Sequence, residues 1–293
     1  MSKAPWSAGE LDASLVVPAG SVDSHIHIYD DRFAYDPAAT LRPAQALVRD
    51  YRLLQKRLSL ARVVIVQPSS YGDDNRCLVD ALGQLGDNAR GIAVINASTT
   101  DAELKAMNAA GVRGIRFNLS RPAGAPLDLL GQLARRVEPL GWHVQVHAMG
   151  DSYPSLENAL IALPTPIVID HLGRIPPGEG VKHPAWNSLR RIVDTGRAWV
   201  KVSGAYHDSV SGAPHYADSG ALVKAWLAHA PERTVWGTDW PHPSAMAGEK
   251  PMPDDAILMD RLADWLPARG SLRKLMVENP ERLYGFAPFA DQA

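Results

Sequence analysis

SVDSHIHIYD, residues 21–30, places two histidines two positions apart at the end of a short apolar run that is typical of a β-strand. Side chains at positions i and i+2 of a strand share a face, so the imidazoles of His25 and His27 point the same way, roughly 6–7 Å apart along the strand. Two imidazoles in this arrangement can converge on one metal ion or on one substrate oxygen. Two hydrogen-bonded histidines without a catalytic part fit the pair equally well.

The rest of the chain repeats the pattern of a short strand followed by a longer helix. The predicted strands are 22–27, 62–67, 91–96, 112–118, 143–147, 166–171, 198–203 and 234–239. The predicted helices are 44–60, 75–85, 101–110, 127–140, 153–162, 185–195, 217–230 and 255–266. The ends of successive strands are about 21 to 40 residues apart, close to the roughly 30 residues of one βα unit. Eight such units in a row predict a parallel sheet.

Eight βα units can close into a barrel or form a long open sheet. The chain has 293 residues, which suits one barrel of about 250 residues or roughly two smaller domains. No G-x-G-x-x-G follows any predicted strand, so an open dinucleotide-binding sheet has no support. No linker rich in serine and glycine divides the chain. We therefore predict an α/β protein with a single (β/α)8 TIM barrel.

Composition excludes several classes of function. The chain has 30 Lys+Arg against 32 Asp+Glu, a net charge of −2, which argues against binding nucleic acid or an anionic membrane. Its one cysteine, Cys77, rules out an intramolecular disulfide and a cysteine-rich zinc site. No segment resembles a secretory signal or approaches the ~20 apolar residues of a membrane span. We expect a cytoplasmic protein whose partner is a small molecule, with a homo-oligomer left open.

Three more predicted strands end in a histidine or an aspartate. His147 ends the fifth strand, His171 the sixth and Asp239 the eighth. The carboxyl ends of barrel strands meet at one face, where barrel active sites are built, so these side chains join the first histidine pair. Imidazole and carboxylate suit a divalent ion such as zinc, and they also activate water. We interpret the set as a catalytic site.

These residues and their neighbours resemble the amidohydrolase superfamily, whose barrels carry H-x-H on strand one, histidines on strands five and six, and aspartate on strand eight. Within it, eight segments are similar to the 2-pyrone-4,6-dicarboxylate lactonase branch. They are SVDSHIHIYD (21–30), VVIVQPSSYGDDN (63–75), RGIAVINA (90–97), GVRGIRFNLSRP (111–122), GWHVQVH (141–147), PIVIDHLGR (166–174), VWGTDWPHP (235–243) and ENPERLYGF (278–286). The branch also includes sugar-acid lactonases, a sulfomuconolactone hydrolase and a galactarolactone isomerase. The resemblance implies one amidohydrolase-like barrel over residues 1–293, with residues 1–20 as an N-terminal extension.

The resemblance also implies roles in lactone hydrolysis. Asp239 would activate the hydrolytic water and then protonate the leaving oxygen, and His171 would polarise the lactone carbonyl. His25 and His27 would line the water or metal site. Asp170, next to His171 on the predicted strand, is expected to face away and receives no catalytic part.

One departure from the branch concerns the metal. The pyrone-dicarboxylate enzymes work without a metal and have a tyrosine where this chain has His147, which restores the ligand set of metal-using members. Strand four ends in 116–118, Arg-Phe-Asn, without a lysine that could bridge two metals. We expect one divalent metal, most simply zinc, on His25, His27, His147 and Asp239. Metal-free action remains the alternative.

A second departure concerns the substrate. Arg116 matches a carboxylate-binding arginine of the family and Arg121 approximates another, but residues 205–207 read Ala-Tyr-His where a further arginine stands. Fewer cations argue against a dicarboxylate and favour a lactone with one carboxylate or a polyhydroxylated sugar lactone. Ser69, Tyr206 and His207 are the other predicted substrate-binding residues.

The leading prediction is therefore a hydrolase that opens a small-molecule lactone with Asp-activated water. An alternative is a lactone isomerase or a metal-dependent decarboxylase on the same scaffold, because the same acid and base groups can move an acyl group or assist loss of CO2. A metal- or ligand-binding barrel without catalysis is the third interpretation, and no sequence feature favours it.

Overall fold

Eight parallel strands, hydrogen-bonded in chain order, form the centre of the molecule. The computed structural model describes residues 3–121, 125–268 and 270–289. The strands are β1 (Val22–Ile26), β2 (Arg62–Val66), β3 (Ala89–Ala93), β4 (Val112–Asn118), β5 (His143–His147), β6 (Ile167–Ile169), β7 (Ala198–Val202) and β8 (Thr234–Trp236). A parallel bridge between Ile26 and Trp240 brings the end of β8 beside β1. The predicted TIM barrel is confirmed.

Helices surround the barrel and cover the outer faces of the strands. They are α1 (Val48–Arg57), α2 (Arg76–Leu85), α3 (Asp101–Ala109), α4 (Leu130–Val137), α5 (Tyr153–Ile161), α6 (Pro184–Asp194), α7 (Ala217–His229), α8 (Pro243–Met246), α9 (Asp255–Asp260), α10 (Leu262–Trp265), α11 (Gly270–Arg273) and α12 (Asn279–Tyr284). α3 begins with a capping box, in which the Thr100 side chain accepts from the Glu103 amide and the Glu103 side chain accepts from the Thr100 amide. Within the described ranges, no helix is long and apolar enough to cross a membrane.

Several predicted boundaries were wrong. β3 ends at Ala93 rather than residue 96, because the next amide, Val94 N, donates to the side chain of Asn75 instead of a neighbouring strand. The predicted helix 255–266 is divided into α9 and α10 at Arg261.

β6 and β8 also end earlier than predicted, so His171 and Asp239 lie in the loops that follow. His171 has φ +48° and Asp239 has φ +69°. A left-handed residue cannot continue a strand, so neither residue belongs to one. β8 ends earlier still, where the Thr238 amide donates to Asp23 Oδ1 at 3.0 Å.

The interior of the barrel has two chemically different layers. An apolar layer contains Val22, Val64, Val66, Ile92, Val168, Trp199 and Val235, closed off by Tyr284 and Phe286. Further along the same strands, toward their carboxyl ends, the interior becomes polar: Lys201 follows Trp199 by two residues and Asp170 follows Val168 by two, and both are fully buried. Side chains two apart share a face, so these polar groups lie inside the barrel beneath the loops.

Candidate active site

Asp239 is the centre of the site. Its backbone amide donates to the carbonyl of His25 at 2.9 Å, and Gly237 allows this approach of β8 to β1, because a Cβ there would lie 2.7 Å from His25 N. Asp239 Oδ1 lies 3.5 Å from His25 Nε2 and 3.6 Å from each of His27 Nε2 and His171 Nε2. The structure therefore brings these three predicted histidines together around one carboxylate oxygen.

The other oxygen of Asp239 is held by two side chains. Tyr206 donates its hydroxyl to Oδ2 at 2.7 Å, and His207 Nε2 lies 3.0 Å from the same atom. Burial alone would raise the pKa of Asp239, but the neighbouring His171 and the hydrogen bond from His207 outweigh it and hold this pKa well below its ordinary value. The carboxylate is thus fixed in orientation and kept ionised.

The protonation of the histidines follows from their other ring nitrogens. His27 Nδ1 lies 2.7 Å from the carbonyl of Val66, which only accepts, so the proton is on Nδ1 and Nε2 offers a lone pair. Burial, reinforced by the nearby Lys201, lowers the pKa of His25 to about 3, so His25 is neutral. Burial likewise holds the pKa of His171 well below its ordinary value, and its Nδ1 lies 2.9 Å from Ser203 Oγ.

Among the described residues, three overlapping groups have ligand atoms close enough to hold a metal ion. They are His25–His27–Asp239, His171–His207–Asp239 and His25–Asp170–His171. In the first group, the two Nε2 atoms are 3.3 Å apart and lie 3.5 and 3.6 Å from Asp239 Oδ1. Tetrahedral zinc with bonds of about 2.1 Å requires ligand atoms roughly 3.4 Å apart. The ligand atoms of the first group therefore have the spacing that one divalent ion requires.

His147 belongs to none of these groups. Its Nδ1 lies 3.2 Å from Arg116 Nη2 and its Nε2 lies 3.1 Å from Arg174 Nη1. Guanidinium groups only donate, and a neutral imidazole can accept at one nitrogen only. One of the two guanidinium groups therefore faces a ring nitrogen that cannot accept its hydrogen bond. A bound anion would supply the missing acceptor and would offset the two positive charges.

Asp239 and four of these histidines line one cavity, which also holds most of the predicted substrate-binding residues. The cavity encloses about 630 Å³ of atom-free space, including its opening to solvent, and is bordered by Asp239, His171, Arg116, Ser69 and Arg121, among others. Arg116 is buried, whereas Arg121 lies nearer the surface and pairs with Glu249 at 2.6 Å. Ser69 Oγ accepts from Asn118 at 2.7 Å. His207 also lines the cavity, whereas Tyr206 reaches the site through its hydrogen bond to Asp239.

Sequence reasoning missed Arg174. Four consecutive residues, His171 to Arg174, have positive φ, and this left-handed turn directs the Arg174 side chain back toward the cavity. Asp208 holds the guanidinium through two hydrogen bonds of 2.6 and 2.8 Å. The DHLGR segment contained the residue, but no pattern in it predicts the turn.

The expectation that Asp170 faces away was wrong, because His171 has left the strand and both side chains point inward. Asp170 Oδ2 accepts from Gln145 at 3.0 Å, and its Oδ1 lies 3.4 Å from His25 Nδ1 and 3.5 Å from Lys201 Nζ. Burial lowers the pKa of Lys201 to about 8, with Asp170 opposing the shift, so the ammonium is largely protonated at neutral pH. The sequence did contain one signal for this buried lysine. Lys201 follows Trp199 by two residues on a predicted strand, so the two side chains share a face.

Known proteins resemble this chain over most of its length. It is 35% identical over 291 residues to a 2-pyrone-4,6-dicarboxylate hydrolase of Comamonas testosteroni, covering 95% of this chain and 94% of the relative. A 4-sulfomuconolactone hydrolase of Rhizobium radiobacter is 33% identical, covering 93% and 92%. A D-galactarolactone isomerase of Agrobacterium fabrum is also 33% identical, covering 92% and 93%.

A solved structure and a family model agree with these relatives. An apo crystal structure of an Agrobacterium tumefaciens protein, 32% identical, superposes with a TM-score of 0.85 and covers 93% of this chain and 98% of that one. The family model described as amidohydrolase matches residues 22–286, which span β1 to the end of the last helix and include every histidine and aspartate of the site. The chain belongs to the amidohydrolase family, in the branch of the pyrone-dicarboxylate, sulfomuconolactone and galactarolactone enzymes.

Proposed function

We propose that the protein hydrolyses the lactone ring of a small carboxylated or polyhydroxylated molecule, with Asp239 activating the water. The observation that carries the proposal is the position of Asp239: one oxygen is held by Tyr206 and His207, and the other faces three imidazoles at the wall of the cavity. Two of the relatives carry names of lactone hydrolases, which supports the same reaction class.

In the proposed reaction, the carboxylate of Asp239 accepts a proton from water while the water oxygen bonds to the lactone carbonyl carbon. The ring C–O bond of the tetrahedral intermediate then breaks, and the leaving oxygen takes the proton back from Asp239. The product is a hydroxy acid, whose carboxyl group is ionised at neutral pH. One water is consumed and one proton is released for each ring opened.

His171 is the proposed group that polarises the carbonyl. Donation from Ser203 Oγ to Nδ1 would leave the proton of the neutral ring on Nε2, where it can bond to an oxygen that becomes negative during attack. Removing one such donor typically costs about 10²–10³ in kcat.

The proposed substrate carries one carboxylate, which would bind between Arg116 and Arg174. Both guanidinium groups lie against His147, and the buried Nε of Arg116 has no hydrogen-bond partner among the described residues. A carboxylate would supply the missing acceptors for these donors. Ser69 and Arg121 are proposed contacts for the remainder of the substrate.

We propose one divalent ion, zinc, as the cofactor. His25, His27 and Asp239 would hold it. His147, the fourth ligand predicted from the sequence, could join them only if its ring moved away from Arg116 and Arg174. A bound ion would lower the pKa of the attacking water. Metal content of purified protein, followed by chelation and zinc restoration, tests this: the account expects activity to fall on chelation and return with zinc. Full activity of ion-free protein would contradict it.

A lactone isomerase is the second candidate, because one relative is named a D-galactarolactone isomerase. The same acid and base groups could then pass the acyl group from one hydroxyl to another without consuming water.

The proposal places the enzyme in the cytoplasm, in a catabolic route. The single cysteine, typical of a reduced compartment, supports this location.

A panel of sugar lactones, muconolactones and pyrone carboxylates, followed by proton release, tests the proposed function. We expect turnover of at least one monocarboxylated or polyhydroxylated lactone with one proton released per ring. Rearranged lactone without net proton release would identify an isomerase, and no turnover across the panel would contradict both candidates.

A further inference from the structure

A buried lysine lies beneath the site, and no step of the proposed hydrolysis uses it. Lys201 is on the inner face of β7 and has no exposed surface. Its Nζ lies 2.7 Å from Gln145 Oε1, 3.3 Å from His25 Nδ1 and 3.5 Å from Asp170 Oδ1. An ammonium has three N–H groups and no acceptor, so these three atoms are its natural partners.

His25 Nδ1 therefore has two competing neighbours. Lys201 Nζ can only donate to it, whereas Asp170 Oδ1, at 3.4 Å, can only accept from it. Neutral imidazole carries one proton on one of its two nitrogens. Donation by Lys201 leaves the proton on Nε2, and acceptance by Asp170 draws it to Nδ1. The two buried charges thus favour opposite tautomers.

The other end of the ring decides between them. His27 donates from Nδ1 to the Val66 carbonyl, so its Nε2 has a lone pair, and this atom is 3.3 Å from His25 Nε2. Asp239 Oδ1, also an acceptor, is 3.5 Å from His25 Nε2. A proton on His25 Nε2 faces two acceptors, whereas a lone pair there would face two other lone pairs.

We propose that Lys201 is a positioning residue that holds ion-free His25 with its proton on Nε2 and thereby opposes binding of a divalent cation at His25, His27 and Asp239. A cation needs the lone pair of His25 Nε2, so the proton has to move to Nδ1, where Asp170 accepts it. Lys201 and Asp170 therefore set the cation affinity of the site in opposite directions.

This inference deepens the proposed function and rests on it for the choice of the cation group. Its readouts use no substrate, so failure of lactone hydrolysis and failure of the tautomer assignment are separate results.

The direct test is ¹⁵N NMR of histidine-labelled, ion-free wild-type protein near neutral pH. The His25 signals are assigned by their loss in His25→Gln. We expect a protonated Nε2 and an unprotonated Nδ1 on His25. A protonated Nδ1 overturns the proposal, and this result needs no variant of the lysine.

Lys201→Met and Asp170→Asn form a matched pair, because both break the same buried ion pair. We expect Lys201→Met to move the His25 proton to Nδ1 and to tighten zinc binding about tenfold or more, since a buried positive charge is also removed. We expect Asp170→Asn to keep the proton on Nε2 and to weaken zinc binding by about tenfold. Zinc affinity is measured by competition with a chromophoric chelator, after circular dichroism and thermal melting establish folding.

These two variants distinguish the proposed positioning of His25 by Lys201 from two simpler roles of the lysine. Equal weakening of zinc binding by both variants would mean that Lys201 and Asp170 form only a structural ion pair, which overturns the proposal. Opposite shifts in zinc affinity with an unchanged His25 tautomer in Lys201→Met would mean that the lysine acts through its charge alone, which also overturns it. If Lys201→Met does not fold, the wild-type tautomer and the Asp170→Asn affinity still decide.

Discussion

The two layers of the barrel interior share the same strands and differ in almost everything else. The apolar layer around Val168 and Trp199 is packed from interchangeable aliphatic and aromatic side chains, and α12 closes it with Tyr284. Two residues further along the same strands, Asp170 and Lys201 are buried charges that need named partners. Loss of apolar packing costs stability alone, whereas loss of one partner of a buried charge pair costs stability and also disturbs the groups that the charge orients.

The difference teaches where stability and activity are separable. Residues of the site adopt backbone conformations that cost energy, such as Asp239 with φ +69° and His171 with φ +48°. The apolar layer has no such residues among its members and supplies the rigid frame on which the strained loops stand. Substitutions in the polar layer should therefore change activity, and substitutions in the apolar layer should change the free energy of unfolding.

The largest expected effect is that of Asp239→Asn. The amide keeps the shape of the carboxylate but cannot accept a proton from water, so we expect kcat to fall by about 10³-fold. The melting temperature should fall, because the lowered pKa of Asp239 means that the folded protein favours the ionised carboxylate, which the amide lacks. Initial rates of lactone-dependent proton release and a thermal melt check this. Full turnover in the variant would remove Asp239 from the mechanism.

Ile92→Ala tests the apolar layer. Ile92 is fully buried on β3 and does not line the cavity, so its truncation should lower the free energy of unfolding by about 2–5 kcal/mol. We expect kcat and KM of the folded protein to change less than twofold at 25 °C. Urea unfolding and steady-state kinetics measure the two quantities, with Ile92→Val as the milder control. A large loss of activity without loss of stability would end the division between layers.

Arg116→Gln tests the cation pair of the cavity. Removing a charged hydrogen-bond donor costs about 1.5–3 kcal/mol, so we expect KM for a carboxylated lactone to rise about 10- to 100-fold. The neutral methyl ester of the same lactone serves as the substrate control and should show little difference between wild type and variant. Equal losses for acid and ester would assign Arg116 a structural part.

Arg121→Gln should have the smallest effect. Arg121 is partly exposed and already paired with Glu249, and such surface pairs contribute about 0–1 kcal/mol. We expect KM to change less than threefold in the same assay, which makes this variant the matched control for Arg116→Gln. An effect as large as that of Arg116→Gln would show that the arginine leaves Glu249 for the substrate.

The fold was predictable because its signals are local and repeated. The strand–helix alternation from residue 22 onward predicted eight units, and Val112–Asn118 and His143–His147 have the predicted bounds. The end of β6 was misplaced because the left-handed conformation at His171 belongs to a non-glycine residue, for which no residue type gives a signal. β8 was predicted too long because its ladder stops where the Thr238 amide donates to Asp23, a partner 215 residues away.

The site was predictable only in part, for a physical reason. His25, His27, His171 and Asp239 are recognisable because their residue types suit one chemistry and all lie at or just after the carboxyl end of a strand. Contacts between residues far apart in sequence have no fixed spacing that a motif could show. Arg174 contacts His147 from a loop 27 residues away, and Lys201 contacts His25 across 176 residues. Strands buried on both faces also lack the alternation that would show which side chains point inward.

The central claim is that water, activated at the polar layer, attacks the carbonyl of a lactone. Turnover of an active lactone in H₂¹⁸O, followed by mass spectrometry of the product, tests it most directly. The account predicts one ¹⁸O atom in the new carboxylate of every product molecule, together with one released proton. A product that forms at the enzymatic rate without solvent oxygen would contradict hydrolysis.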